Sequence, residues 1–171
     1  MLRFFKYEGL GNDFLLIERA ALEGAELSPE QAIAWCDRHR GVGGDGVLVL
    51  DVDSPRMDVI NSDGSVPEMC GNGIRCAALH LARLAGEEAL EVSIDTLAGP
   101  HSCIVVNRPG AESVAVHMAP PSLSPRDLPL NSKRPWLDHS LQVAGTTVRW
   151  SGVSMGCLLY TSDAADDASS V

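Results

Sequence analysis

Cys70 is followed by Gly71-Asn72-Gly73, and behind this triplet an apolar run begins at helical spacing. Ile74, Ala77, Ala78, Leu81 and Leu84 recur at steps of three and four, which places them on one face of a helix. The cysteine therefore falls at or just before the first turn, where the amides have no intrahelical partner and the dipole favours negative charge. A thiol at such a place is suited to giving and taking a proton. The glycines let a ligand approach closely enough for N–H groups to hold a carboxylate. The opposing reading is a small buried hydrophobe near a helix start, as many cysteines are. Taken alone, the residue leaves both readings open. The surrounding INSDGSVPEMCGNG is rich in polar and turn residues and describes an exposed loop more than a core.

The elements that must position this segment follow from local patterns. Short strands are expected over 2–7 and 14–18, rich in aromatic and branched residues, with a turn at Gly9 and Gly11 between them. Asn12 beside that turn offers both donors and acceptors, and its simplest role is to hold the turn through its own backbone. Ser28 can cap a helix, Pro29 suits its first position and Gln31 completes a capping box. That helix is expected to run to about residue 39 with Ile33 and Trp35 buried and Cys36 packed. The glycine-rich GVGGDG at 41–46 lacks the Lys-Ser/Thr ending of a phosphate loop and the spacing of a dinucleotide fingerprint. Strands are expected over 47–52 and 57–60, the second ended by the turn signal Asn61-Ser62-Asp63-Gly64. Within the central helix, Cys76 lies well round from Cys70 and reads as packing, and His80 reads as a flank residue without a role. Strands over 90–95, 103–107 and 114–118, with turns at Gly99-Pro100 and Arg108-Pro109-Gly110, complete a strand-rich pattern with two helices, of α+β class. Between 120 and 136 there are five prolines and little periodicity, which reads as a linker. Residues 141–153 read as a hairpin turning at Gly145.

Composition sets outer limits. The 171 residues are 45% hydrophobic, enough for a core, and carry a formal net charge of −10. That charge argues against nucleic-acid binding and against docking on anionic membranes. Neither a signal peptide nor a bilayer-spanning apolar run is read from the sequence. The five cysteines are odd in number and without CxxC spacing, which suits reduced thiols in a cytoplasm better than a disulfide framework or a zinc site.

Three blocks, GLGNDF at Gly9 to Phe14, RHRGVGGDG at Arg38 to Gly46, and INSDGS with MCGNGIRC, resemble the diaminopimelate epimerases in order and spacing. The similar proline racemases and hydroxyproline epimerases typically carry His where this chain has Asn72. The resemblance implies a lobe of strands curled round a central helix, with only the start of a second similar lobe. It divides the chain into an epimerase lobe over 1–119 and a linker with the stub of a second lobe over 120–156. Implied with it are epimerisation of LL-2,6-diaminopimelate to the meso form in lysine synthesis, no cofactor or metal, and a small-molecule substrate as partner. It leaves a homodimer of the full-length protein open. Cys70 is the implied catalytic thiol, and Asn12, Asn61, Gly71 and Asn72 are the implied substrate contacts. Some relatives bind substrate through a Gln where this chain has Gly46, a role glycine cannot fill. The family pattern implies a second cysteine on a second lobe, beyond residue 171. It also breaks after Gly156. From Cys157 the chain resembles translated sequencing-adapter readthrough, so 157–171 is expected to be a non-native tail. A racemase of the proline type and a non-catalytic fragment are the alternative readings.

Overall fold

A computed structural model of the chain describes residues 2–118, 120–128, 130–154 and 159–160. The chain divides into two compact units, Met1–His117 and Met118–Val171. The first holds a seven-stranded sheet whose strands lie side by side in sequence order: β1 (Phe5–Gly9), β2 (Asn12–Glu18), β3 (Gly46–Asp51), β4 (Arg56–Asn61), β5 (Ala89–Thr96), β6 (Gly99–Val106) and β7 (Ser113–Val116). Neighbours pair antiparallel except β2–β3 and β4–β5, which are parallel. Parallel pairs need a crossover, and each has one: α1 (Pro29–Cys36) serves the first and α2 (Gly71–Ala85) the second.

All seven strands contact α2, so the sheet is curled round that helix. α1 packs on β3 and β4, and Ala32 and Cys36 join Leu15, Ile17, Val47 and Ile60 in one buried cluster. β2 and β3 are therefore covered on both faces, which is why FLLI and VLVL are unbroken apolar runs rather than alternating ones. The β1–β2 turn has both central residues at positive φ, Leu10 at 53° and Gly11 at 87°, as a two-residue hairpin of the primed type requires.

Several expectations need correction. α1 ends at Cys36, three residues early. The Asp37 carboxylate accepts the N–H groups of His39 (2.7 Å) and Arg40 (2.9 Å), a local turn that competes with helix continuation. Ile33 is exposed and Trp35 only partly buried, because Ala32 and Cys36 form the inward stripe. Leu84 is exposed together with Arg83 and Ala85 at the C-terminal end of α2, whereas Leu81 and Ala82 just before them are buried. The β5–β6 turn falls at Leu97-Ala98 rather than Gly99-Pro100. Thr96 Oγ1 closes it early, donating to Gly99 O (2.9 Å) and accepting from Ala98 N (3.2 Å).

The second unit contains a hairpin of β8 (His139–Val143) and β9 (Thr146–Trp150) turning at Ala144-Gly145, and a short pair of β10 (Val153–Ser154) with β11 (Leu159–Tyr160). Trp136 stacks on His139 and meets Trp150 edge-on at 4.5 Å. Of the tail expected over 157–171, Cys157, Leu158 and residues 161–171 lie outside the described residues.

Candidate active site

Cys70 is the N-cap of α2, with φ −133° and ψ 111°, and its sulfur accepts the amide of Gly73 at 3.3 Å. A sulfur replaces the usual hydroxyl or carboxylate at this position, so one orphan donor of the helix start is already engaged. The Gly71 and Asn72 amides precede the first intrahelical bond, from Ile74 N to Cys70 O, and so have no helical partner. Gly73 is buried: a Cβ there would stand 2.8 Å from Leu48 Cδ2, so glycine seats the helix start against β3. Cys70 is half-buried, whereas Cys36, Cys76 and Cys103 are buried. Burial pushes the thiols of Cys76 and Cys103 up to about 11, out of range for proton exchange near neutrality.

Asn12 and Asn72, sixty residues apart, meet: Asn72 Nδ2 donates to Asn12 Oδ1 at 2.8 Å. Asn12 Nδ2 donates in turn to Asp45 Oδ2 at 3.0 Å. The side chain thus reaches across the fold rather than folding onto its own turn. Asn61 ends β4 opposite Gly46 of β3, and it does close a turn, since its amide donates to Ser65 O (2.8 Å) and its Nδ2 to Ser65 Oγ (2.9 Å). Its neighbour Ser62 donates N–H to Asp45 O at 3.0 Å. The start of β2, the start of β3 and the end of β4 therefore gather at one end of the sheet around Asp45.

The segment before β3 is held by α1. The amides of Val42 and Gly43 donate to Trp35 O (2.9 and 3.0 Å) and that of Gly44 to Cys36 O (3.1 Å), satisfying carbonyls at the helix end. Gly43 takes φ +83°, a conformation natural to glycine. This anchored segment carries Arg38, whose guanidinium grips Asp13 at 3.0 and 2.5 Å and Asp45 Oδ1 at 2.9 Å. Lys6 adds a second cation to Asp13 at 2.8 Å. The hydrogen bonds from Arg38, then Lys6, hold the Asp13 carboxyl well below the usual carboxylate range. Arg38, Asp13 and Asp45 received no role from the sequence, although two of them lie within the RHRGVGGDG block and Asp13 within GLGNDF.

His80 is also more than a flank residue. It is buried, with Nδ1 3.0 Å from Tyr7 Oη and Nε2 3.1 Å from Glu18 Oε1. Burial lowers its pKa, opposed by Glu18, so the neutral ring accepts the tyrosine proton at Nδ1 and donates from Nε2. This fixes α2 to β1 and β2 from inside. A cleft of about 570 Å³ opens between the β1–β2 turn, α2 and β7, with Arg75, Cys76, Leu79 and Glu112 in its wall; Cys70 does not line it. Among the described residues no three His, Cys, Asp or Glu side chains converge as a metal-binding group, and no helix is long and apolar enough to cross a membrane.

The diaminopimelate epimerase family model matches residues 4–124. The chain is 43% identical to a diaminopimelate epimerase from Rippkaea orientalis over 95% of its own length, and 41% identical to one from Acaryochloris marina over 95%. It spans 61% of the length of each of these relatives. Among solved structures, a hydroxyproline epimerase from Agrobacterium vitis matches with a TM-score of 0.64 at 14% identity, over 94% of this chain and 50% of that one, a likeness of fold.

Proposed function

Because the chain belongs to the diaminopimelate epimerase family, we propose that it carries one half of a site that inverts the α-carbon of LL-2,6-diaminopimelate to give the meso form, without cofactor or metal, in the cytoplasm. Cys70 is the residue on which this rests: among the described residues it is the cysteine that is not buried, and it stands at the start of α2 beside two amides that have no helical partner. Inversion needs a base on one face of the α-carbon and an acid on the other. Cys70 takes or returns the proton on its face. As the proton leaves, negative charge spreads into the substrate carboxylate, and the Gly71 and Asn72 amides meet it with fixed dipoles. Asn12, Asn61 and the Asn72 side chain hold the polar groups of the substrate. The opposite face falls to a thiol in the length that the relatives have beyond this chain.

The test is an epimerisation assay in deuterated water on a protein extended to the relatives' length, with and without Cys70→Ala. Deuterium incorporation with inversion is expected for the parent and lost in the variant, and the 171-residue chain alone is expected to be inactive. Near-normal turnover by the Cys70→Ala protein overturns the assignment. Turnover of proline or hydroxyproline in preference to diaminopimelate overturns the substrate.

A further inference from the structure

The geometry points to Asp45 as the positioning residue of this half-site: acting through Asn12, it fixes which end of the Asn72 amide faces a ligand. Asp45 Oδ2 accepts from both Asn12 Nδ2 and the Asp13 amide, each at 3.0 Å, and Oδ1 accepts from Arg38 at 2.9 Å. A carboxylate paired with arginine has no proton to donate. Asn12 must therefore turn its NH₂ to Asp45 and its carbonyl oxygen away, and that oxygen lies 2.8 Å from Asn72 Nδ2. Asn72 in turn commits its NH₂ inward. Its Oδ1 has no partner among the described residues and is the end left for a ligand. An amide alone can bind in either sense; here a charge two residues down the chain of hydrogen bonds removes the choice. Cooperative polarisation along such a chain strengthens each bond.

Asp45 is itself held against rotation. Its own amide donates to Asp13 O (2.7 Å), its carbonyl accepts from Ser62 (3.0 Å), and Arg38 is braced by Asp13. The polarity that results suits a zwitterion: helix-start amides for a carboxylate, and the Asn72 carbonyl oxygen for an ammonium group. This consequence rests on the function proposed above, whereas the direction of the hydrogen bonds does not.

The experiment separates the two. In the 171-residue chain labelled with ¹⁵N at asparagine, the side-chain amide signals of Asn12 and Asn72 are followed in Asp45→Asn and Asp45→Ala, with Asn107, bonded to Glu87 O at 3.0 Å, as an internal control. Asparagine at 45 can face Asn12 with either end, so both the Asn12 and Asn72 signals are expected to shift or double while Asn107 stays fixed. Asp45→Ala should move both signals as well; if that variant fails to fold, Asp45→Asn, which retains an acceptor for the Asp13 amide, decides alone. Asn72 signals that stay put, or movement of Asn12 without Asn72, overturn the proposal. In a protein extended to the relatives' length, Asp45→Asn is expected to raise KM for diaminopimelate about tenfold and change kcat by less than about threefold, the scale of one charge-assisted hydrogen bond in binding. A fall in kcat alone with KM unchanged overturns the positioning role. An inactive parent protein refutes the proposed function and leaves the amide test standing.

Discussion

Arg38 reaches across twenty-five residues to hold Asp13 with two nitrogens, at 3.0 and 2.5 Å, and the pair ties the segment before β3 to the start of β2. The Asp13 carboxyl is depressed below its ordinary 3.8, so the stabilisation is present above about pH 4 and is lost as the pH falls below that. Asp13→Asn should therefore destabilise the chain at pH 7 by about 1 kcal/mol, the scale of a partly exposed ion pair. Urea unfolding at pH 7 and pH 3 checks this: the gap between parent and variant should shrink at the lower pH. An equal gap at both values refutes it.

His80 gives a second pH dependence, in a higher window. Its folded pKa lies below its ordinary 6.5 because burial disfavours the charged ring. The unfolded chain therefore takes up a proton first, and stability falls as the pH drops below about 6.5. His80→Leu should remove that dependence and also strand the Tyr7 hydroxyl and Glu18, costing about 1–3 kcal/mol at neutral pH. Denaturation midpoints between pH 5 and 8 report both effects.

Of the cysteines at 36, 70, 76 and 103, Cys70 alone should react with a thiol reagent at pH 7.5 in the folded chain. The other three are buried, and burial raises each of their thiols. Peptide mapping after a short exposure to iodoacetamide distinguishes them from one another and from Cys157. Labelling of Cys76 as fast as Cys70 would contradict its burial.

A methyl group at position 41 has nowhere to go. A Cβ on Gly41 would lie 2.3 Å from Ala34 O and 2.7 Å from Trp35 O, the carbonyl that accepts Val42 and Gly43. Gly41→Ala should cost about 1–3 kcal/mol by overpacking and loosen the segment that carries Arg38 and Asp45. Thermal unfolding measures the first effect. Faster hydrogen exchange at the amides of Val42, Gly43 and Gly44 reports the second.

What the sequence disclosed and what it hid divide by distance along the chain. The Ser28–Gln31 capping box and the Cys70 helix start were legible because their hydrogen bonds span three residues. The early end of α1 was local too, but the turn drawn by Asp37 competes with helix on nearly equal terms, and composition alone favoured the helix. Asp45 was hidden because its carboxylate finds its partners 7, 32 and 33 residues away. His80 was hidden for the same reason, with partners 62 and 73 residues away, and a histidine at helical spacing carries no mark of the tyrosine and glutamate it will meet. The Asn12–Asn72 contact was hidden likewise: family resemblance implied the two residues separately, as substrate contacts, and their partnership spans sixty residues.

The order of strands in the sheet also bears on how the chain reaches this state. The hairpins β1–β2, β3–β4 and β5–β6 close over short connections and can form early, each without the others. The parallel pairings β2–β3 and β4–β5 require long loops to be closed first, an entropic cost met before any contact rewards it. Asn12 belongs to the first hairpin, Asp45 to the lead-in of the second, and Asn72 to the helix that bridges the second to the third. The half-site is thus assembled at the seams, from pieces that nucleate apart. Substitutions at Asn12, Asp45 and Asn72 should therefore speed unfolding while leaving the refolding rate nearly unchanged.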